Sequence, residues 1–156
     1  MSEIIINKEK ACALTGHREI SKDFDKNLVK NTFIELINEG YDTFLIGMAV
    51  GFDTEGFKIL EGLRKSYPIK LIACIPCEKQ DLKFSFWQKL EYKRICASAD
   101  ERILVSKTYT RYCMQLRNEF MVDNSSCLVA YIRKDSGGTA NTVRYAQRQG
   151  VKIIRV

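Results

Sequence analysis

Cys127-Leu128-Val129-Ala130-Tyr131-Ile132 is followed, after a short gap, by Asp135-Ser136-Gly137-Gly138-Thr139-Ala140-Asn141-Thr142. The first stretch is an unbroken apolar run that reads as a buried strand. The second opens a segment that reads as a helix, and between them lie two adjacent glycines flanked by hydroxyl side chains. Glycine lets main chain come close to an anion, and a helix N-terminus presents unpaired N–H groups and a partial positive charge. A glycine pair with Asp and Ser is also an ordinary turn, so the rest of the chain decides what this junction means.

Working outward, the same alternation recurs. Ala11–Thr15 is a short apolar strand with Ile4–Ile6 as a lead-in, and a helix over about 22–39 follows, with Val29, Phe33, Leu36 and Ile37 at helical spacing and Gly40 as its stop. Thr43–Met48 is a strand; Asp53–Lys65 is a helix with Phe57, Leu60 and Leu63 on one face. Strands at Ile69–Ile75 and Arg102–Val105 flank a helix over 84–99 carrying Trp87, Leu90 and Ile95. A helix over 110–123 precedes the strand at Cys127. One over Thr139–Gln149, closed by Gly150, leads to a last strand at 152–156. Short apolar strands alternating with helices predict a Rossmann-like α/β fold, doubly wound, with a mostly parallel sheet covered by helices on both faces. Ligands in such sheets bind outside the carboxyl ends of the strands, where the strand order reverses.

Composition sets the frame. At 156 residues, 46% hydrophobic and 28% charged, the chain reads as a single domain over 1–156 with a core of ordinary size. No apolar run suits a bilayer span and the N-terminus lacks a signal-peptide pattern, so a cytoplasmic protein with no membrane partner is expected. The formal charge of +6 favours anionic partners in general, but the basic residues are scattered. The six cysteines mostly sit inside apolar runs, where a reduced thiol behaves as a small hydrophobe. Cys74-Ile75-Pro76-Cys77 has metal or redox spacing, but a zinc site would need two further ligands; the expectation is no metal and no obligatory cofactor.

The loops at the strand ends supply the candidate site. Thr15-Gly16-His17-Arg18 combines a hydroxyl, a glycine and nitrogen donors, and Arg18 offers a bidentate fork for phosphate or carboxylate. Gly47-Met48-Ala49-Val50-Gly51-Phe52-Asp53 can turn tightly into a helix, with Asp53 either its N-cap or an acceptor for a sugar or base edge. Met114, Arg117 and Met121 share a helix face, placing Arg117 against a partly apolar wall, from which it is expected to reach a phosphate; Asn118 is its neighbour. Ser136, Gly137, Gly138 and Thr139 complete the set. No Lys follows the glycines and no G-x-G-x-x-G occurs, so neither a P-loop nor a nicotinamide dehydrogenase is indicated.

Taken in order, these loops resemble the superfamily that joins the Smf/DprA and Lonely Guy (LOG) proteins, in particular its YpsA-like branch. Gly47-x-Ala49-x-Gly51-x-Asp53 looks like the G-x-A-x-G-[IF]-D loop of DprA proteins. Arg117-Asn118 with Met121, then Leu128-Val129-Ala130 and Ser136-Gly137-Gly138-Thr139, is similar to the succession shared across the group. The resemblance implies a Rossmann-like fold binding a nucleotide or a related phosphorylated ligand, in a sensing or regulatory role, and is compatible with a homodimer. It does not imply activity. LOG enzymes cleave the N-glycosidic bond of nucleoside monophosphates with a P-G-G-x-G-T-x-E-E motif, and here Val143 and Arg144 stand where the two glutamates would fall. Oxocarbenium-like transition states are normally assisted by positioned carboxylates; Glu119 and Asp53 are the substitutes within reach, and neither holds the matching position. DprA-like binding of single-stranded DNA, with Tyr109, Arg111, Tyr112 and Arg18 as contributors, is the less favoured alternative.

Overall fold

The computed structural model describes residues 4–156. Among the described residues six strands and five α-helices alternate: β1 (Ala11–Gly16), α1 (Lys26–Asn38), β2 (Thr43–Ile46), α2 (Phe52–Leu63), β3 (Lys70–Ile75), α3 (Phe86–Ser98), β4 (Glu101–Leu104), α4 (Cys113–Asp123), β5 (Cys127–Tyr131), α5 (Gly138–Arg148) and β6 (Lys152–Arg155). Every strand pairing is parallel, in the order β4-β3-β2-β1-β5-β6. The chain winds outward from β1 to β4, returns, and winds the other way through β5 and β6. The order therefore reverses between β1 and β5, which makes their carboxyl ends the switch point.

The period-two alternation of each strand builds two core layers. Cys12, Leu14, Phe44, Ile46, Leu71, Ala73, Cys127, Val129 and Tyr131 face α1 and α2, meeting Val29, Phe33, Leu36, Phe57 and Leu60. Ala13, Leu45, Ile72, Cys74, Leu128 and Ala130 face α4 and α5, meeting Met121, Val122, Val143 and Ala146. Helices thus cover both faces, as the alternation predicts. Among the described residues no helix is long and apolar enough to cross a membrane.

Several boundaries differ from the sequence expectation, each for a local reason. Ile4–Ile6 form no strand; a 3₁₀ turn at Lys8–Lys10 separates them from β1, and Ile4 and Ile6 pack against the second core layer. Helix α1 starts at Lys26 instead of Lys22 because Asp25 caps it, accepting from Leu28 N–H at 3.0 Å. Helix α3 starts after Ser85, whose capping box with Gln88 fixes the end. Of the apolar residues it carries, Ile95 is buried, while Trp87 is 75% and Leu90 46% exposed. Helix α4 begins at Cys113, after an irregular connection, instead of at Thr110.

Phe57 is fully buried on α2, so Phe57→Ala is expected to lower stability in urea denaturation by about 3–5 kcal/mol. Trp87→Ala on the exposed face of α3 is expected to change it by less than about 0.5 kcal/mol.

Candidate functional site

Parallel strands deliver their βα loops to one edge of the sheet, and at the switch point these loops enclose a cavity of about 540 Å³. The β1–α1 loop contributes Thr15, Gly16, His17 and Arg18; the β5–α5 loop contributes Ser136, Gly137, Gly138 and Thr139; Ala49, Asp53, Arg117 and Asn118 complete the inner wall. All of these were singled out in the sequence. Gly47 and Gly51 do not line the cavity, and neither does Glu119.

The two glycines act from behind. A Cβ on Gly47 would lie 2.7 Å from the Arg117 guanidinium, and one on Gly51, at φ 84°, would lie 2.3 Å from the Arg18 carbonyl oxygen. They allow close approach of neighbouring parts instead of contacting a ligand. Between them Met48, fully buried, holds φ at 64°. A long side chain in the left-handed region is an uncommon, strained arrangement of the kind held in place at functional loops.

Arg117 is 4% exposed. Its Nη1 donates to the Gly47 carbonyl and to the Cys74 carbonyl (3.3 Å), and its Nε donates to Asn118 Oδ1 at 2.8 Å. One edge of the guanidinium therefore satisfies main-chain acceptors at the ends of β2 and β3, while Nη2 lies 3.9 Å from the Met114 sulfur. Burial lowers the Arg117 pKa, and Asp53 works against that by favouring the charged form.

Asp53 sits in the first turn of α2 but is not its N-cap; Gly51 is. Its Oδ2 accepts from Ala49 N–H at 3.1 Å, and its buried Oδ1 has no protein partner. Burial pushes the Asp53 carboxyl up to about 6, opposed by Arg117, the Ala49 amide and Arg18. Near neutral pH it is still mostly ionised, so Asp53, a cavity-lining residue, keeps a buried carboxylate oxygen in want of a donor.

His17 is a joint between loops. Its Nε2 accepts from the Arg133 main-chain N–H at 2.7 Å, and its carbonyl accepts from Phe52 N–H at 3.1 Å. Partial burial, Lys134 and Arg133 lower its pKa, in keeping with a neutral imidazole whose Nε2 lone pair is in use.

At the entrance to α5 the N-cap is Gly137 (φ 96°), and no side chain caps the helix. Its first amides and the positive end of its dipole are therefore directed to the cavity mouth. Val143 is buried in the core, and Arg144 donates to the Asp135 carbonyl at 3.0 Å, closing the loop from below. Neither position presents a carboxylate to the cavity.

The sequence reading missed Glu19, Ile20, Ser21, Tyr131, Arg133 and Lys134, which also line the cavity. Tyr131 looked like one more strand residue, yet its ring stacks on Phe52 (centroids 5.6 Å apart) and its hydroxyl accepts from Ser21 N–H at 3.0 Å. Arg133 lies over the Tyr131 ring at 4.3 Å and pairs with Asp23 at 2.8 Å. Their position between the strand and the glycine pair was the available signal. Among the described residues, no group of three or more His, Cys, Asp or Glu side chains could hold a metal ion. Cys74 and Cys77 do not pair; Cys77 contacts Cys113 instead.

Comparison with known proteins places this geometry. Residues 15–152 match the model of the YspA SLOG family (YpsA). The chain belongs to that family. It is 34% identical over 118 residues to the SPbeta prophage-derived protein YoqJ of Bacillus subtilis, covering 67% of this chain and 69% of that protein. It is 26% identical over 143 residues to the UPF0398 protein YpsA of B. subtilis, covering 83% and 79%. Among solved structures, DNA processing protein A (DprA) from Streptococcus pneumoniae superposes with a TM-score of 0.67 at 18% identity, over 94% of this chain. DprA from Helicobacter pylori does so with 0.66 at 16%, over 95%. The chain spans 50% and 65% of those two proteins, and at these identities the likeness is one of fold. The YspA SLOG assignment and the DprA-like fold agree with the family resemblance seen in the loops.

The state of His17 gives a sign for pH dependence. Its folded pKa lies below the unfolded value of about 6.5, so the stabilisation from its neutral form is present above that pH and is lost as pH falls through the folded pKa. Asp53, with its folded pKa raised, acts oppositely: its folded state gains relative stability as pH falls through about 6. The melting temperature of the wild type minus that of His17→Asn is therefore expected to shrink as pH is lowered from 7.5 to 5.5 in a thermal-melt series.

Proposed function

We propose that this protein binds a nucleotide or nucleotide-derived phosphorylated ligand in the cavity between the ends of β1 and β5, in a sensing or regulatory role. The observation that carries the reading is a pairing of opposite needs within one cavity. At one end, the uncapped start of α5 with Gly137 and Gly138 offers free amides and positive potential for a phosphate. At the other, the buried Asp53 Oδ1 lacks a donor, which a sugar hydroxyl or a base amine supplies. Arg18, exposed at the mouth beside Arg133 and Lys134, adds charge-assisted contacts to the phosphate, and Asn118 helps orient the sugar. A volume of about 540 Å³ suits a ligand of nucleotide size.

Binding is favoured over LOG-type cleavage because the positions of the LOG carboxylates are held by a core valine and a loop-closing arginine. Glu19 at the cavity wall is a carboxylate the sequence reading did not weigh, so incubation with nucleoside monophosphates and chromatography for free base is the direct check. Release of base overturns the binding-only reading. A second reading has one supporting observation: the basic mouth formed by Arg18, Arg133 and Lys134, on a fold shared with the H. pylori DprA, whose single-stranded DNA binding mode has been described. That reading requires affinity for an oligonucleotide to fall steeply with salt.

A screen of nucleoside mono-, di- and triphosphates by thermal shift is expected to yield at least one ligand that raises the melting temperature, since a ligand specific to the folded state stabilises it. Arg18→Ala, an exposed substitution, should weaken that ligand about tenfold or more in calorimetry, as loss of a charge-assisted contact requires, with little change in the melting temperature of the free protein. No shift with any nucleotide would sink the proposal.

A further inference from the structure

Two of the cysteines, from different elements, meet outside the cavity. Cys77, in the connection after β3, and Cys113, the first residue of α4, are both buried, with the Cys113 thiol donating to the Cys77 sulfur at 3.5 Å. A disulfide bond is about 2.05 Å long, so closing this gap asks the sulfurs to approach by about 1.5 Å.

Three features distinguish this pair from thiols that merely fill a core. Cys113 is the first residue of α4, whose N-cap Tyr112 supplies no side-chain cap, and helix ends fray. The Arg117 guanidinium, one turn further along α4, favours the thiolate form of Cys77, although burial outweighs it and pushes that thiol up to about 11. Finally, the connection that leads into Cys113 is loosely held. Residues 105–112 form no helix or strand, none is buried, and Lys107–Tyr112 are all exposed. Segments with so little buried surface open locally at small cost, which gives a reagent access to Cys113. Cys12 and Cys127 also lie side by side, but on paired central strands of the sheet, where access requires unfolding.

We propose that Cys77 and Cys113 are a site of reversible oxidation, joined into an intramolecular disulfide by a hydroperoxide. The Cys113 thiolate attacks the distal peroxide oxygen; the O–O bond breaks, the alcohol or water leaves with the thiol proton, and Cys113 becomes a sulfenic acid. The Cys77 sulfur then attacks the Cys113 sulfur. The S–S bond forms, the S–O bond breaks, and the departing oxygen takes the Cys77 proton and leaves as water. Two thiols give up two electrons, the hydroperoxide receives them, and a thiol reductant reverses the bond by exchange. The link ties the start of α4 to the end of β3. Met114, Arg117 and Asn118 of α4 line the cavity, so oxidation clamps one of its walls, whatever ligand the cavity takes.

The test treats the full chain in its native state with hydrogen peroxide, alkylates remaining thiols and measures intact mass, digest and melting temperature. The expected result is a mass loss of two hydrogens, a linked peptide containing Cys77 and Cys113, reversal by dithiothreitol, and a melting temperature higher by about 5 °C or more, since the link closes a chain loop of moderate length. Cys113→Ser should abolish the linked peptide, and Cys12→Ser should leave it intact, which separates the assignment from any folding defect of one variant. A link mapped to another pair overturns the proposal. So does oxygen added to cysteines without a cross-link, or a native chain left unreacted by peroxide that fully oxidises the urea-unfolded chain. A correct link with an unchanged or lower melting temperature overturns the clamp.

Discussion

A buried guanidinium holds the functional edge of this sheet together. Parallel strands end in main-chain carbonyls that lack a partner in the next turn of the ladder, and an acceptor left unpaired in the interior costs roughly 1–3 kcal/mol. Arg117 answers two of them at once, at Gly47 and Cys74, while Gln80 donates to the same Gly47 carbonyl at 3.0 Å. A buried positive charge in turn needs a negative one nearby, and Asp53 supplies it without touching it: no ion pair joins the two, yet each shifts the other's ionisation. Gly47 must lack a side chain for the guanidinium to fit. The GxAxGxD loop, which ends in the carboxylate, and the arginine helix are thus one electrostatic unit, assembled from two separate parts of the chain.

The fold was legible because β1, β2, β3 and β5 are short, apolar runs, each bounded by helical patterns, and such sequences have few alternatives to a covered parallel sheet. Helix ends were less so. Asp25 and Ser85 cap their helices through single side-chain contacts that a search for apolar periodicity does not weigh. Helix α3 was legible as a helix but not in its packing: Trp87 and Leu90 are apolar but face outward, and periodicity alone cannot say which side of a helix meets the core. In the cavity, residues of distinctive type such as Gly137, Arg117 and Asp53 announced themselves. Tyr131 and Arg133 did not, since a tyrosine ending a strand and an arginine after it are ordinary until the ring is seen on Phe52 and the guanidinium over the ring. Gly47 and Gly51 were noticed for their flexibility, but their use lies in the space they leave.

Comparison of the β5–α5 junction with the LOG motif has a physical counterpart here. Val143 faces the sheet and is part of the second core layer, so a glutamate there would bury a charge among Leu128, Ala130 and Met121. Arg144 spans from Asn141 (2.6 Å) to the Asp135 carbonyl and fixes the loop that carries the glycines. The junction keeps its glycine pair and an uncapped helix start, and the neighbouring positions hold the loop in shape.

His17 joins three of the loops that surround the cavity. Its imidazole receives the amide of Arg133, its carbonyl receives the amide of Phe52, and its own amide donates to Tyr131 O at 3.3 Å, while the neighbouring Arg18 carbonyl sits in the space Gly51 leaves open. The β1–α1, β2–α2 and β5–α5 loops are consequently stitched into one body through a single short peptide. No one of these loops can be reshaped alone, because the other two would have to follow. Substitutions that leave this frame intact are therefore those of cavity-lining side chains outside it, such as Arg18, Glu19, Ile20 and Lys134.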